Sequence, residues 1–592
     1  MTKFYSLFMI LMLLASCNTD SFIDFENQQN GNQQTNYNFG NAAQRNFHGL
    51  VLSTNGSPVS GATVTIGTST VQTNAQGVFL IKNAAVKENF AYVKVTKAGF
   101  VNGARTLVPT SGNNRINIMM IPAANTSTIT SGAASTVSLP NGTKVKFDGS
   151  FKDANGNAYN GNVNVAMFHL QPSDQYLNEL MPGSFLANNT EGNSRIMETY
   201  GMLHVQLTGA SGQNLQIATG HTAEMTVAID ATQTSTAPAT IPLWSFNEAT
   251  GIWQEEGSAT KVGNAYVGNV SHFSWWNCDV QFPVCTLKAI IKNASGQPLS
   301  NIAIGLKRSS QTYETSGITD ANGTVSGLIP ANEILVLKAY DHCGAVLYTA
   351  NVGPFAAGNI HTLPDIIINS TTATSFTING TLKNCTGGNV VDGLAVLHFG
   401  QGSTSYFQGA SAIVTNGAFS INTLSCNASQ QFSLEGYDMP AMQTSGGINF
   451  TGVSPVTNLG NITVCTAVSE FINYQIDAQP VVNCLLGFSA MLEANNLSIT
   501  HSQSPAGPVG PYFRLYAPGI NSAGTYTSGF TVFTSPNAPI QAAGNNLTLQ
   551  ISQFGTVNNY IDFTVNGTYA DMVNGVPVTK TLSVTGHVKR DL

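Results

Sequence analysis

The feature that most constrains this chain is a phrase that it writes twice. Residues 48–66 read HGLVLSTNGSPVSGATVTI, and residues 286–306 read TLKAIIKNASGQPLSNIAIGL. Each holds two runs that alternate apolar and polar residues around a turn rich in Asn, Gly, Ser and Pro, with Pro298 standing where Pro58 stood. Further on, each copy makes a second turn before another alternating run: Thr73-Asn74-Ala75-Gln76-Gly77 in the first, Thr319-Asp320-Ala321-Asn322-Gly323 in the second. A period of two suits half-buried strands and no helix. A repeat on this scale marks similar units set in series. A weaker third copy runs from Ile378 through Val390-Val391-Asp392-Gly393 to Thr415-Asn416-Gly417-Ala418-Phe419. It lacks the proline, and Asn458-Leu459-Gly460-Asn461-Ile462 reads as its closing edge strand.

The order strand, Gly-x-Pro-[Val/Leu], strand, Thr-x-x-x-Gly, strand resembles the carboxypeptidase regulatory-like family. That resemblance implies a transthyretin-like β-sandwich of about seven strands over residues 46–122. It extends to a second module at 283–372 and a degenerate third at 373–466. The block between them, 123–282, differs. Its Met181-Pro182-Gly183, Tyr200-Gly201-Met202 and the run from Trp244 through Phe246 and Gly251 to Trp253 resemble the extracellular region of cartilage intermediate layer protein and related surface proteins. Trp244 and Trp253 flank Glu248-Ala249-Thr250-Gly251, which places them on the two strands of a hairpin. A last segment, 467–592, again reads as strands, with an unpatterned stretch near Ser502–Pro508. The fold class is all-β: tandem Ig-like or transthyretin-like sandwiches. Laid end to end, about five such units would reach roughly 15–20 nm at about 3–4 nm each.

The chain opens with Lys3, an apolar run from Phe4 to Leu14, and Leu14-Ala15-Ser16-Cys17. The apolar run is too short to span a bilayer as a helix. Small residues leading into a cysteine resemble the lipobox of bacterial lipoproteins. That resemblance implies a signal peptide over 1–16, cleavage before Cys17 and lipid on Cys17. Residues 17–45 would then be a Gln/Asn-rich tether. Only 9% of residues are charged, against about a quarter in ordinary domains. Few charges with abundant Thr, Val and turn residues fit an exported β-protein, expected here at the outer membrane. No basic patch points to nucleic acid. The expected partner is the membrane, through the lipid, with glycans or other surface proteins as candidate ligands.

Seven cysteines besides Cys17 all lie beyond residue 277, and an exported compartment permits disulfides. Cys285 with Cys343, or Cys385 with Cys426, would each close one module, although spacing alone fixes no pairing. Without a CxxC, a zinc ribbon is not indicated.

Chemistry-bearing patterns are sparse. His221-Thr222-Ala223-Glu224 is the H-x-x-E half of a zinc carboxypeptidase site, but it falls in an alternating stretch that sends residues three apart to opposite faces. Asp153-Ala154-Asn155-Gly156-Asn157 resembles the start of a calcium loop, yet position twelve is Asn164 and not a bidentate Glu, so an Asn-Gly turn explains it better. No nucleophile elbow, phosphate loop, H-E-x-x-H or dinucleotide fingerprint occurs. Neither cofactor nor metal is expected. Tyr266, Trp275 and Trp276 are candidate stacking residues for a sugar ring, since strand neighbours face opposite sides and one tryptophan could face outward. The expectation is a non-enzymatic surface protein serving adhesion, scaffolding or ligand binding. A glycan-binding lipoprotein and a hydrolase seated in 123–282 or 467–592 are the alternatives.

Overall fold

A computed structural model describes residues 36–591 apart from 310, 312, 370–373, 400–408, 426–428, 468–469, 478–481, 485–487, 503–511, 536–545, 558 and 574–575. The expected signal peptide (1–16), Cys17, most of the expected tether (17–45), Cys426 and nearly all of the Ser502–Pro508 stretch lie outside the described residues. Strands dominate, and the four-residue Leu177–Leu180 is the one α-helix among the described residues.

The first unit is a seven-stranded sandwich. Its strands are β1 (Ala42–Ser53), β2 (Thr63–Ile66), β3 (Ser69–Gln72), β4 (Val78–Lys87), β5 (Ala91–Thr96), β6 (Gly103–Leu107) and β7 (Asn113–Met120). They form sheets in the orders β4-β1-β7 and β3-β2-β5-β6. β1 lies antiparallel to β4 and parallel to β7. Alternate residues meet between the sheets, with Phe47, Phe79, Val64, Val93 and Val95 fully buried.

The repeated phrase folds the same way each time. The latter half of Trp275–Asn293 pairs antiparallel with Thr324–Pro330 and parallel with Ile360–Thr362 and Ile366–Ile368. Thr374–Lys383 pairs antiparallel with Ala418–Ser425 and parallel with Val456–Thr463, which is an edge strand as its pattern indicated. Isolated bridges Leu52↔Pro58, Lys292↔Pro298 and Lys383↔Asn389 mark one position in the three copies, so an asparagine fills the proline's place in the third.

The second turn shows why its residue types recur. Asn74 Oδ1 accepts the amides of Gln76 and Val78, and Asp320 Oδ1 those of Asn322 and Thr324. Thr73 and Thr319 each donate their hydroxyl to a backbone carbonyl, of Val59 and Leu299. Gly77 and Gly323 have φ of +72° and +71°, and a Cβ on them would stand 2.3 Å from Val51 O and 2.4 Å from Ile291 O. Glycine is required on both counts. The third copy shortens this turn to Asn416-Gly417, both at positive φ, so Thr415 and Ala418 exchange two hydrogen bonds as in a tight I′-type hairpin.

The middle block has its own core, including Val145, Phe147, Leu203, Tyr266 and Trp276. No linker separates it from the next module. The 19-residue strand Trp275–Asn293 pairs first with Ser194–Gly209 and Thr240–Asn247, then continues into the following sandwich. The division placed at 282/283 therefore falls inside one strand.

The units do not lie end to end. The first contacts the middle block through Tyr92 to Glu248 O (2.8 Å) and Thr106 to Ser184 (2.7 Å). It contacts the second module through Gly112 N to Asp320 (3.1 Å) and Ser326 to Val108 O (2.8 Å). It meets the third module through Lys82–Asp392 (2.6 Å), His48–Ser411 (2.7 Å) and an apolar seam of Leu50, Val78, Leu394, Val396 and Tyr437. The second and third modules meet through Asn301 to Asn422 O (3.1 Å), with Leu424 entering the second module's core. The first four units thus form a folded-back cluster, and the reach worked out for units laid end to end does not apply to them. The folded body begins before residue 45, where the expected tether was to end: Tyr37 is buried, its amide donating to Ser194 Oγ (2.9 Å) and its hydroxyl to Asn89 O (2.9 Å).

The C-terminal unit is a separate sandwich with a core running from Ile472 to Val588. Its longest strands, Tyr560–Val573 and Val576–Lys589, pair along their whole length.

Candidate functional site

The most concentrated polar chemistry lies where the middle block meets the second module. Arg308, at the end of strand Ala303–Arg308, bonds Glu198 of the strand Ser194–Gly209 and both oxygens of Glu333 (2.8 Å each). Its guanidinium lies 3.7 Å from the ring centroid of Phe282. Glu198 is 4% exposed, and burial raises its pKa against the opposing pull of Arg308. Beside it, Thr199 donates to Asn277 (2.8 Å) and Asn277 to Asp279 (2.6 Å), while the Thr199 amide donates to the Tyr313 hydroxyl (3.1 Å). Asp279 and Tyr313 are both pushed up, chiefly by burial. One cation, Arg308, thus bridges carboxylates of two units, Glu198 and Glu333, across the boundary. Sequence reading missed these residues because they come from different units and share no spacing.

The three candidate stacking aromatics are buried: Tyr266 0% exposed, Trp275 2%, Trp276 1%. They offer no face to a sugar ring. The strand carrying the tryptophans is covered on both sides, Trp276 in the middle block's core and Trp275 in a second core shared with Trp244 and Tyr37. Trp244 and Trp253 do lie on one hairpin, with Phe246 opposite Trp253. Their indole N–H groups donate to Asp279 O (3.0 Å) and Ser184 O (2.9 Å).

Both anticipated disulfides are corrected. Cys385 is bonded to Cys465, not Cys426, because the parallel pairing of Thr374–Lys383 with Val456–Thr463 brings their ends together. Cys285 is a free buried thiol and so is not joined to Cys343, which is itself disulfide-bonded. Cys285 faces the core of the second module.

The H-x-x-E residues part company. His221 pairs with Asp148 (2.5 Å) and Glu224 with Lys146 (3.1 Å). Asp153 accepts the amides of Asn155 and Asn157 (2.9 Å each) in a turn like those of the repeats. Among the described residues no helix is long and apolar enough to cross a membrane.

The fold and joint define a class: an all-β protein of several β-sandwiches packed together. No family model matches the chain. It is similar to cartilage intermediate layer protein 1 of Sus scrofa, 32% identical over 112 residues, 18% of each chain. It is 29% identical over 126 residues to cartilage intermediate layer protein 2 of Homo sapiens, covering 21% of this chain and 11% of that one. The chain thus spans less than a fifth of the length of these curated relatives. Among solved structures, the shaft pilin spaA from Lactobacillus rhamnosus GG is 10% identical, with 31% of this chain and 98% of that one covered and a TM-score of 0.16. BcpA, the major pilin subunit of Bacillus cereus, is 8% identical over 72% and 100%, at 0.12. At such TM-scores the overlaps carry no functional argument.

Proposed function

We propose that this is a non-enzymatic cell-surface protein, held to the outer membrane by lipid on Cys17, that presents a rigid multi-domain body for adhesion or scaffolding. The observation that carries this reading is the mutual locking of four units, with Tyr37 clamped among them and the Arg308 cluster at one joint. A body built this way transmits force and holds its loops in fixed relation, which an adhesive or scaffolding protein needs. The modules are read as carboxypeptidase regulatory-like sandwiches, and the middle block as the kind found in cartilage intermediate layer proteins. Between Cys17 and Tyr37 the chain reaches at most about 70 Å, at about 3.5 Å per residue. The body would therefore sit close to its membrane. Glycan capture is not carried forward, since the aromatics on which it rested are buried.

The test is Cys17→Ser in the producing cell. Wild-type protein is expected in the membrane fraction after a carbonate wash, carrying metabolically incorporated lipid, with the variant released and unlabelled. Lipid label and membrane retention in the variant would refute the anchor.

A further inference from the structure

The three repeated units share one register, and the second departs from it inside its core. Val51, Ile291 and Leu382 each donate their amide to the turn glycine, Gly77, Gly323 and Gly417, which aligns the strands that follow. In the first unit Phe79 and Ile81 lie opposite Gly49 and Phe47; in the third, Phe419 and Ile421 lie opposite Gly380 and Ile378. All four of these large side chains are buried. The second unit has Val325 and Gly327 there, opposite Ala289 and Leu287. On the facing sheet, Gly317 lies opposite Ile304 where Val71 lies opposite Val64.

Gly317 packs closely on Val325, since a Cβ on it would stand 2.8 Å from Val325 Cγ2, so it is Val325 and Gly327 that stand where the sibling units place larger apolar groups. A Cβ added to Gly327 meets nothing within 4 Å, and its φ lies outside the left-handed region, so the glycine serves neither a close contact nor a special backbone. The result is a cavity of about 170 Å³. It is open on one side: Leu287, Ile304, Val325 and Leu337 line it from the second unit, Leu107 and Phe185 from the first unit and the middle block, and the polar Arg105, Lys307, Arg308, Gln311 and Ser326 line it as well. Protein cores rarely leave such space. For scale, an enclosed apolar void of about 150 Å³ holds a benzene-sized guest. Sites of this kind favour domain interfaces.

We propose that the second module carries a binding site for a small apolar molecule, of the size of one aromatic ring or branched alkyl group, in the space left by Val325 and Gly327. It is independent of how the protein is anchored.

The test uses toluene as probe and the full chain, read by saturation-transfer NMR on the toluene signals. Wild-type protein is expected to give transfer, and Gly327→Ile to weaken it at least tenfold by restoring the sibling residue. Circular dichroism checks that the variant folds. If Gly327→Ile does not fold, Val325→Phe restores the other sibling residue and is expected to weaken transfer likewise. No transfer to wild-type protein up to the solubility of toluene, or transfer unchanged by a folded filling variant, would overturn the site.

Discussion

At the scale of single residues, positive φ alone does not decide the cost of replacing a glycine here. Gly56 and Gly296 have φ of +81° and +77° with open space around a would-be Cβ. Gly77 and Gly323 add a collision with a carbonyl oxygen. Gly56→Ala should therefore cost about 1 kcal/mol of backbone strain, and Gly77→Ala or Gly323→Ala roughly 2–4 kcal/mol. Urea denaturation of the three variants checks this; equal losses would show that the close approach is relieved elsewhere. Arg308 makes a second residue-scale case. Its side chain is 12% exposed and that of Glu198 is 5%. Arg308→Met strands a buried carboxylate and should cost about 3–5 kcal/mol. Adding Glu198→Gln should recover part of that loss, and a double variant as unstable as the sum of the singles would contradict coupling between the two.

At the scale of elements, the disulfide Cys385–Cys465 closes a loop of 80 residues in the third module. Cys385→Ser should lower that module's stability by about 4 kcal/mol in the chain-entropy picture. Peptide mapping without reduction should recover the 385–465 pair, with Cys285 alkylated only after denaturation; a 385–426 peptide would contradict the fold. The elements themselves were legible in the residues. Period-two runs, the Asn/Asp-x-x-Gly turns and the Trp244–Trp253 hairpin all rest on local rules, and the local rules won. Pairing of cysteines was not legible, because Cys385 meets Cys465 through a parallel pairing of strands far apart in sequence. Nor was the burial of both Trp275 and Trp276. Alternation predicts one outward face only for a strand with solvent on one side, and this strand has a core on each.

At the scale of the whole molecule, repeats suggest a row, and side chains that act across units decide otherwise. The contact between the first and third modules buries His48 and His398 near Arg115. Burial, reinforced by Arg115, lowers His48 to about 3 and His398 to about 4. Both fall below the value of an unfolded histidine, so the unfolded chain binds more protons as pH drops from 6.5. Their contribution is fully present above that pH and is lost on the way down to the folded values, by roughly 2–3 kcal/mol each at pH 4.5. Urea midpoints at pH 7.5 and 4.5 should differ, and less so in His48→Gln; an equal pH dependence in the variant would remove His48 from the account. The most direct test of the folded-back arrangement is small-angle X-ray scattering of residues 36–466. A compact body of that length predicts a radius of gyration of about 22–26 Å. A value near 40 Å, expected for four sandwiches in a row at roughly 35 Å each, would contradict it.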